Sequence, residues 1–386
     1  MEDHSYLLSP GPINIPKRVL QAMFHPSIHH RTPEFSCILG ELLNNMKEIF
    51  KTENTVLPIH STGRGALEAT ITNLFSPGDE IVSICSGRFG EMYAGIAEKF
   101  GLTVHRICTD WEQDIDLEKV EALLKENPGI KALTVSHNET STAVENDVRA
   151  LAKVAHEYEA IIMVDTVSSL GGMEFRFDEW DIDVAVTASQ KALMAPTGIS
   201  FVVLNDKAWT VQKRSSLPRS YFDLPAIYTK VNASNPETPG STPVVMIAAM
   251  AESTRMILEE GLERAWERHR RISDSVKKAI QAMGMDLFPG NIRKRSNTVT
   301  AFRLPDQTTS EDVKKLISDH FGIVLTGGLG SYKKQVIRLG HMGNFFNRDA
   351  LLLISSLEEA FYMLGCSKEI GAGMMSLSES LRGGAS

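Results

Sequence analysis

The chain has 386 residues, of which 42% are hydrophobic and 23% charged, enough apolar material for a sizeable core, so a largely disordered chain is excluded. Its 40 basic residues against 48 acidic ones leave a formal charge of −8, and no basic excess points to nucleic acid or an anionic membrane surface. Cys37, Cys85, Cys108 and Cys366 are widely spaced with no CxxC pair, which indicates neither a disulfide framework nor a zinc site and fits a reducing compartment. The acidic start carries no secretory pattern and no apolar run approaches the about 20 residues of a membrane span, so a soluble cytoplasmic protein without a metal centre is expected.

Pro10, Pro12, Pro16 and Pro26 predict an extended arm with turns over the first 30 residues. A helix follows over 36–50. Short apolar, β-branched runs at 80–85, 103–107, 131–136, 160–165, 183–187 and 200–204 predict strands, apolar on both faces as a sheet covered by helices requires. Helical patterns lie between several of them, at 65–74, 117–126 and 148–158. Such alternation predicts an α/β fold with a largely parallel sheet. Residues 205–245 are rich in Ser, Pro, Asn and Thr and predict an irregular crossing segment. A long charged helix over 243–282, interrupted near Gly261, comes next. The last hundred residues predict a smaller α+β unit, with strands at 297–302, 323–325 and 335–338, helices at 310–320 and 348–364, and a fraying tail from Gly371. The division expected is an arm at 1–20, a large domain at 21–245 and a small domain at 246–386.

The sharpest chemical feature is Lys191, in Ser189-Gln190-Lys191-Ala192 after an apolar strand. Burial lowers a lysine's pKa and makes it a nucleophile able to form a Schiff base. A solvated loop lysine is the bland alternative, and the position after a strand in an α/β sheet weighs against it. Asp165 ends the apolar run Ile161-Ile162-Met163-Val164, and 191 − 165 = 26 residues allow one crossover, so the two can share a sheet edge. A turn or cap role for Asp165 is the alternative. Together they supply what pyridoxal phosphate needs, an amine that captures the aldehyde and a carboxylate that keeps the pyridine nitrogen protonated. Thr62-Gly63-Arg64-Gly65 opens a helix whose free N–H groups suit a phosphate, or it is an ordinary cap. It fails the dinucleotide fingerprint, since Glu68 stands where the third glycine belongs. Phe89, between Gly87 and Gly90 at a strand exit, can stack on a flat ring or simply join the core. Arg338 closes an apolar run as a bidentate clamp for a carboxylate or as a surface ion-pair partner. His341 fits a structural role better than acid–base chemistry.

Taken together, these segments resemble the class V aminotransferases, pyridoxal-phosphate enzymes of fold type I, and within them the alanine–glyoxylate and serine–glyoxylate (serine–pyruvate) branch. The residues that carry the resemblance are Ser9-Pro10-Gly11-Pro12, Thr62-Gly63-Arg64-Gly65-Ala66-Leu67-Glu68, His137-Asn138-Glu139-Thr140-Ser141-Thr142, Val164-Asp165-Thr166-Val167-Ser168-Ser169, Asp178-Glu179-Trp180, Ser189-Gln190-Lys191-Ala192-Leu193 and Arg338-Leu339-Gly340-His341-Met342-Gly343. It covers nearly the whole chain. It implies a large domain with a mainly parallel seven-stranded sheet, a smaller C-terminal α+β domain, and a homodimer with shared active sites. It implies that Lys191 binds the cofactor covalently and moves the substrate proton, and that Asp165 pairs with the pyridine nitrogen. Phe89 and Val167 would press the two faces of the ring. Thr62, Gly63, Arg64 and Gln190 would hold the phosphate, Thr140 would touch the cofactor, and Thr242 would reach the phosphate of the neighbouring subunit. Arg338 would bind the α-carboxylate of the substrate, which favours an amino acid over an aminophosphonate.

Some positions depart from the family pattern. Arg64 stands where several relatives have His or Thr, and Pro239 replaces an aromatic near Thr242. His30 aligns with a Gln of the ureidoglycine–glyoxylate branch, which argues against that substrate, and His30 and Arg31 border the expected substrate pocket. The implied reaction is ping-pong transamination of alanine or serine with glyoxylate or pyruvate. Aspartate as donor, or a lyase of the same fold, are the nearer alternatives. A cysteine desulfurase is disfavoured, because Gln190 takes the place of the His before the lysine and Cys366 is expected in the C-terminal helix and not on a mobile loop. A Rossmann-like nucleotide-binding protein is the alternative from another class.

Overall fold

A computed structural model describes residues 6–24, 28–367 and 369–383; Pro26 lies outside them. Seven strands form the central sheet: β1 (Val56–Ile59), β2 (Glu80–Cys85), β3 (Thr103–Cys108), β4 (Ile130–Ser136), β5 (Ile161–Asp165), β6 (Val184–Ala188) and β7 (Ser200–Leu204). Their order is β1-β7-β6-β5-β4-β2-β3. Only β7 runs against its neighbours, pairing antiparallel with both β1 and β6. Strands β5, β6 and β7 are buried at every residue, the pattern of a sheet covered on both faces. The edge strand β3 alternates between exposed and half-buried residues.

The expected α/β architecture is therefore present, with differences that have local causes. β1 was not expected, because Pro58 interrupts its short apolar run; the proline is tolerated at a sheet edge, where a missing N–H costs little. The helix Arg88–Lys99 was also missed, since Gly87, Gly90 and Gly95 mask its period. Within the expected arm, Lys17–Ala22 is helical, started by Pro16. The crossing segment holds two short helices, Asp206–Gln212 and Leu224–Val231. The long helix does break at Gly261, whose φ of +88° ends Val244–Glu260 and lets Leu262–Ala282 begin. The tail beyond Gly371 does not fray: Ala372–Gly383 is a helix, and Leu377 is fully buried.

Two apolar clusters form the core. The larger surrounds the seven-stranded sheet. The smaller joins the second half of Leu262–Ala282 to the strands Val299–Arg303 and Val336–Gly340 and the helices Ser310–Phe321 and Asn347–Met363. The arm links them. Tyr6–Leu7 pairs in parallel with Ile323–Val324, and the Gly340 N–H donates to Leu8 O at 2.8 Å.

Candidate active site

Parallel strands deliver their carboxyl ends to one edge of the sheet, where the following loops converge. β5 and β6 are parallel neighbours, and Asp165 at the end of β5 is in register with Val186. Lys191 lies three residues beyond the end of β6. A cavity of about 230 Å³ opens here. Thr62, Gly63 and Arg64 line it from the β1 side, Phe89 from the β2 exit and Thr140 from the β4 exit. Asp165, Val167, Gln190 and Lys191 complete its floor.

Asp165 is 6% exposed. Burial pushes its pKa up to about 6; the Val167 N–H, donating at 2.8 Å, and the Lys191 charge pull the other way, while the Glu139 carboxylate adds to the rise. Burial lowers Lys191 to about 8, the Arg338 cation acts in the same direction, and Asp165 opposes both. The Lys191 Nζ donates to Pro10 O, so the arm closes over it. Gly11 has a φ of +122°, which glycine adopts without strain, and a Cβ there would lie 2.5 Å from that nitrogen, so the lysine would have to move.

The helix Gly63–Leu74 aims its first turn at the cavity. Thr62, its N-cap, does not spend its hydroxyl on the cap, so hydroxyl and first amides remain for an anion. Gly63 allows that approach, since a Cβ there would sit 2.8 Å from Val167 Cγ2. Thr140 Oγ1 donates to Ser168 Oγ at 2.6 Å, and Asn138 Nδ2 donates to the same oxygen at 3.0 Å. Buried and without a partner among the described residues are Gln190 Oε1 and Asn138 Oδ1.

Arg338 is 7% exposed behind this wall. Its Nε donates to Gly327 O at 2.9 Å and its Nη1 to Thr140 O at 3.1 Å. Burial lowers its pKa to about 10, and the Glu139 carboxylate works against that. Among the described residues no acceptor meets its Nη2, which leaves donor capacity for a ligand.

Other residues lie elsewhere. Thr242 is outside this cavity; it lines a separate one of about 540 Å³ beside Met23, Ile28 and Arg255, and its hydroxyl meets that of Thr238. His30 stacks on His29 with ring centroids 4.5 Å apart. Arg31 ties down the segment before Thr242, donating to Glu237 at 2.6 Å and to Thr238 O at 2.8 Å. His341 is buried, pushed down to about 3 by desolvation and held at 2.8 Å from Thr300 Oγ1. Cys366 is not in the C-terminal helix as expected: that helix ends at Met363, three residues earlier, and Cys366 packs on the smaller core. Sequence reasoning assigned no role to Glu139, Asn138 or Ser168, or to the Pro10 carbonyl. Their signal was present, because Asn138 and Glu139 lie two and three residues beyond the carboxyl end of β4, and Ser168 three beyond that of β5.

The family model described as aminotransferase class-V matches residues 5–343. The chain is 36% identical to a protein named soluble hydrogenase, small subunit, of Synechococcus sp., over 99% of both chains. It is 33% identical to the serine–glyoxylate aminotransferase of Arabidopsis thaliana, over 98% of this chain and 95% of that one. Among solved structures it matches the ureidoglycine–glyoxylate aminotransferase of Bacillus subtilis with a TM-score of 0.93 and 28% identity, over 99% of both. Arg338 does not end its strand as expected but sits in the middle of Val336–Gly340, behind the cavity that Lys191 and Asp165 line. With this lysine and carboxylate at one sheet edge, and a family match across most of its length, the chain belongs to the class V aminotransferases, enzymes that transfer amino groups.

Proposed function

We propose that this enzyme transfers the amino group of a small L-amino acid, alanine or serine, to glyoxylate or pyruvate, with pyridoxal phosphate held in the strand-end cavity. The observation that carries the reading is that Lys191 and Asp165 line one cavity while Arg338 stands behind Thr140 at its wall. The residues fit the cofactor: an open helix N-terminus beside Thr62 and Arg64 suits its phosphate, and the unpartnered Gln190 Oε1 and Asn138 Oδ1 await polar ligands. When bound, pyridoxal phosphate supplies an aldehyde that captures amines and a ring that takes up electrons from the substrate.

The chain's own residues do the rest. Arg338 holds the α-carboxylate of the amino acid and so fixes the direction of its Cα–H bond. Lys191, with a pKa near 8, is deprotonated often enough near neutral pH for its Nζ to remove the Cα proton. Asp165 would hold the cationic edge of the ring with its carboxylate, and Phe89 and Val167, which line the same cavity, would confine its faces. Amino acid and keto acid use the same site in turn, which gives ping-pong kinetics.

A homodimer is part of the proposal. It gives Thr242 a phosphate to reach, that of the neighbouring subunit, although Pro239 departs from the aromatic of relatives. The arm at 1–20, a cofactor-binding domain at 21–245 and a small domain at 246–386 are the proposed division. Four free cysteines support a cytoplasmic, reducing location, and among the described residues no helix is long and apolar enough to cross a membrane. The hydrogenase name is said of the Synechococcus protein; the lysine–carboxylate pair in this chain's cavity is chemistry for amino-group transfer.

The test is the visible spectrum of purified protein, wild type beside Lys191→Ala, with L-alanine, L-serine or L-aspartate. The wild type is expected to be yellow, to lose its band with one of the first two donors and to regain it with glyoxylate. Lys191→Ala is expected not to complete that cycle. A wild type that stays colourless after incubation with pyridoxal phosphate sinks the reading, and bleaching by L-aspartate alone moves the donor to a dicarboxylate.

A further inference from the structure

Glu139 is fully buried yet well supplied with donors. Its Oε2 accepts from the Phe89 and Gly90 N–H groups, each at 3.1 Å, and its Oε1 from the Ser141 N–H at 3.0 Å and the Ser141 hydroxyl. Phe89 and Gly90 are the second and third residues of the helix Arg88–Lys99, whose N-cap, Gly87, has no side chain to offer. A carboxylate from the short strand Asn138–Glu139 therefore caps this helix and meets the positive end of its dipole. Gly87 makes room for it, since a Cβ there would lie 2.5 Å from Glu139 Cγ. Burial raises the Glu139 pKa, and the four donors, the Ser141 hydroxyl first, oppose that rise, since each brings a hydrogen and the ionised carboxylate is the form that accepts every one. The next residue, Thr140, gives its carbonyl to Arg338 and its side chain to the cavity.

We propose that Glu139 is a positioning residue of the transamination: its buried carboxylate fixes Phe89 at the cavity and sets a negative charge behind Asp165 and Arg338. Its kinetic consequence rests on the transaminase reading; the placing of Phe89 rests on the hydrogen bonds to Glu139, and the effect on Asp165 on the like charge of a buried carboxylate beyond the β4 exit. Charges and titratable groups facing Asp165 are Glu139 across the β4 exit, Lys191 beyond β6 and the buried phenol of Tyr93. Tyr93 stays neutral, since burial pushes its pKa up. Glu139 raises the proton affinity of Asp165, and Lys191 lowers it.

Two variants separate charge from reach. Glu139→Gln removes the charge at nearly constant size. Glu139→Asp keeps the charge but is one methylene too short for the Phe89 and Gly90 N–H groups. The readout is a carbon-13 NMR titration of aspartate carboxyls in cofactor-free protein, with the Asp165 signal assigned from Asp165→Asn. In Glu139→Gln the Asp165 midpoint should fall below its wild-type position near 6, and in Glu139→Asp it should stay. Both variants should lose roughly tenfold to a hundredfold in kcat/KM, the loss that goes with hydrogen bonds to a charged group. An unmoved midpoint in folded Glu139→Gln overturns the charge role. If Glu139→Gln does not fold, Glu139→Asp decides, and turnover equal to wild type overturns the positioning role. A colourless wild type would sink the transaminase reading yet leave the titration readable, so the two failures are distinguishable.

Discussion

Lys191 and Arg338 are two cations in one partly buried site, and each makes the other's charge more costly. The folded-state pKa of Lys191, about 8, lies below its ordinary 10.5, so the unfolded chain binds this proton more readily. Its penalty on cofactor-free protein is therefore full below about pH 8 and fades as pH rises towards 10.5. Labelling with an amine-selective reagent, followed by peptide mapping, should give Lys191 a midpoint near 8. Lys277, likewise lowered to about 8 by burial, serves as an internal comparison outside the cavity. Arg338→Gln should raise the Lys191 midpoint, because a neighbouring cation is gone, and Asp165→Asn should lower it further. The same Arg338→Gln change should cost about 3 kcal/mol of carboxylate binding, near a hundredfold in kcat/KM for the amino acid. A Lys191 midpoint that ignores both substitutions would mean that these groups do not share one electrostatic site.

Elements were legible where a single period ran through them. The strands β4 to β7 are short, apolar and followed by turn residues, and each lies within one residue of its expected bounds. Elements with a compromised period were not legible. Three glycines hide Arg88–Lys99, and that loss also hid Glu139, because a cap supplied from another strand leaves no mark near the helix it serves. The tail helix repeats the lesson. Its small and glycine residues predict fraying, but Leu377 docks on the smaller core and Glu358 accepts from the Gly371 and Gly373 N–H groups at 3.1 and 2.6 Å. Tertiary contacts here override a weak propensity. Glu358→Ala should therefore destabilise the protein by about 1–3 kcal/mol, as loss of a buried cap does. The measurement is urea unfolding, in which the midpoint should fall while cofactor absorbance per folded molecule is unchanged. A midpoint equal to wild type would mean that the tail helix is held by its apolar face alone.

At the scale of the whole molecule, the arm is the piece that joins both cores to the chemistry. Tyr6 donates its phenol to Asp349 at 2.6 Å, Tyr6–Leu7 adds a strand beside Ile323–Val324, and Leu8 fills the smaller core. The chain then passes over Gly340, where a Cβ would lie 2.0 Å from Ser9 O, and arrives at Lys191 with its Pro10 carbonyl. Sequence alone marks these prolines as an extended segment without saying what they lie against, because the contacts span more than 180 residues. Desolvation is the first cause of the lowered Lys191 pKa, and the arm is part of what excludes water from that amine. Removing residues 1–12 should leave the seven-stranded sheet folded, since among the described residues none before Ile13 belongs to its core cluster. It should lower thermal stability through the lost Leu8 contact, a buried leucine being worth about 2–3 kcal/mol. It should also move the Lys191 labelling midpoint up from about 8 towards that of an ordinary lysine, because water replaces the arm. If far-UV dichroism shows a folded protein whose Lys191 still titrates near 8, the amine is desolvated by the β6 loop and Arg338 alone, and the arm would be a fastening for the smaller core with no part in tuning the site.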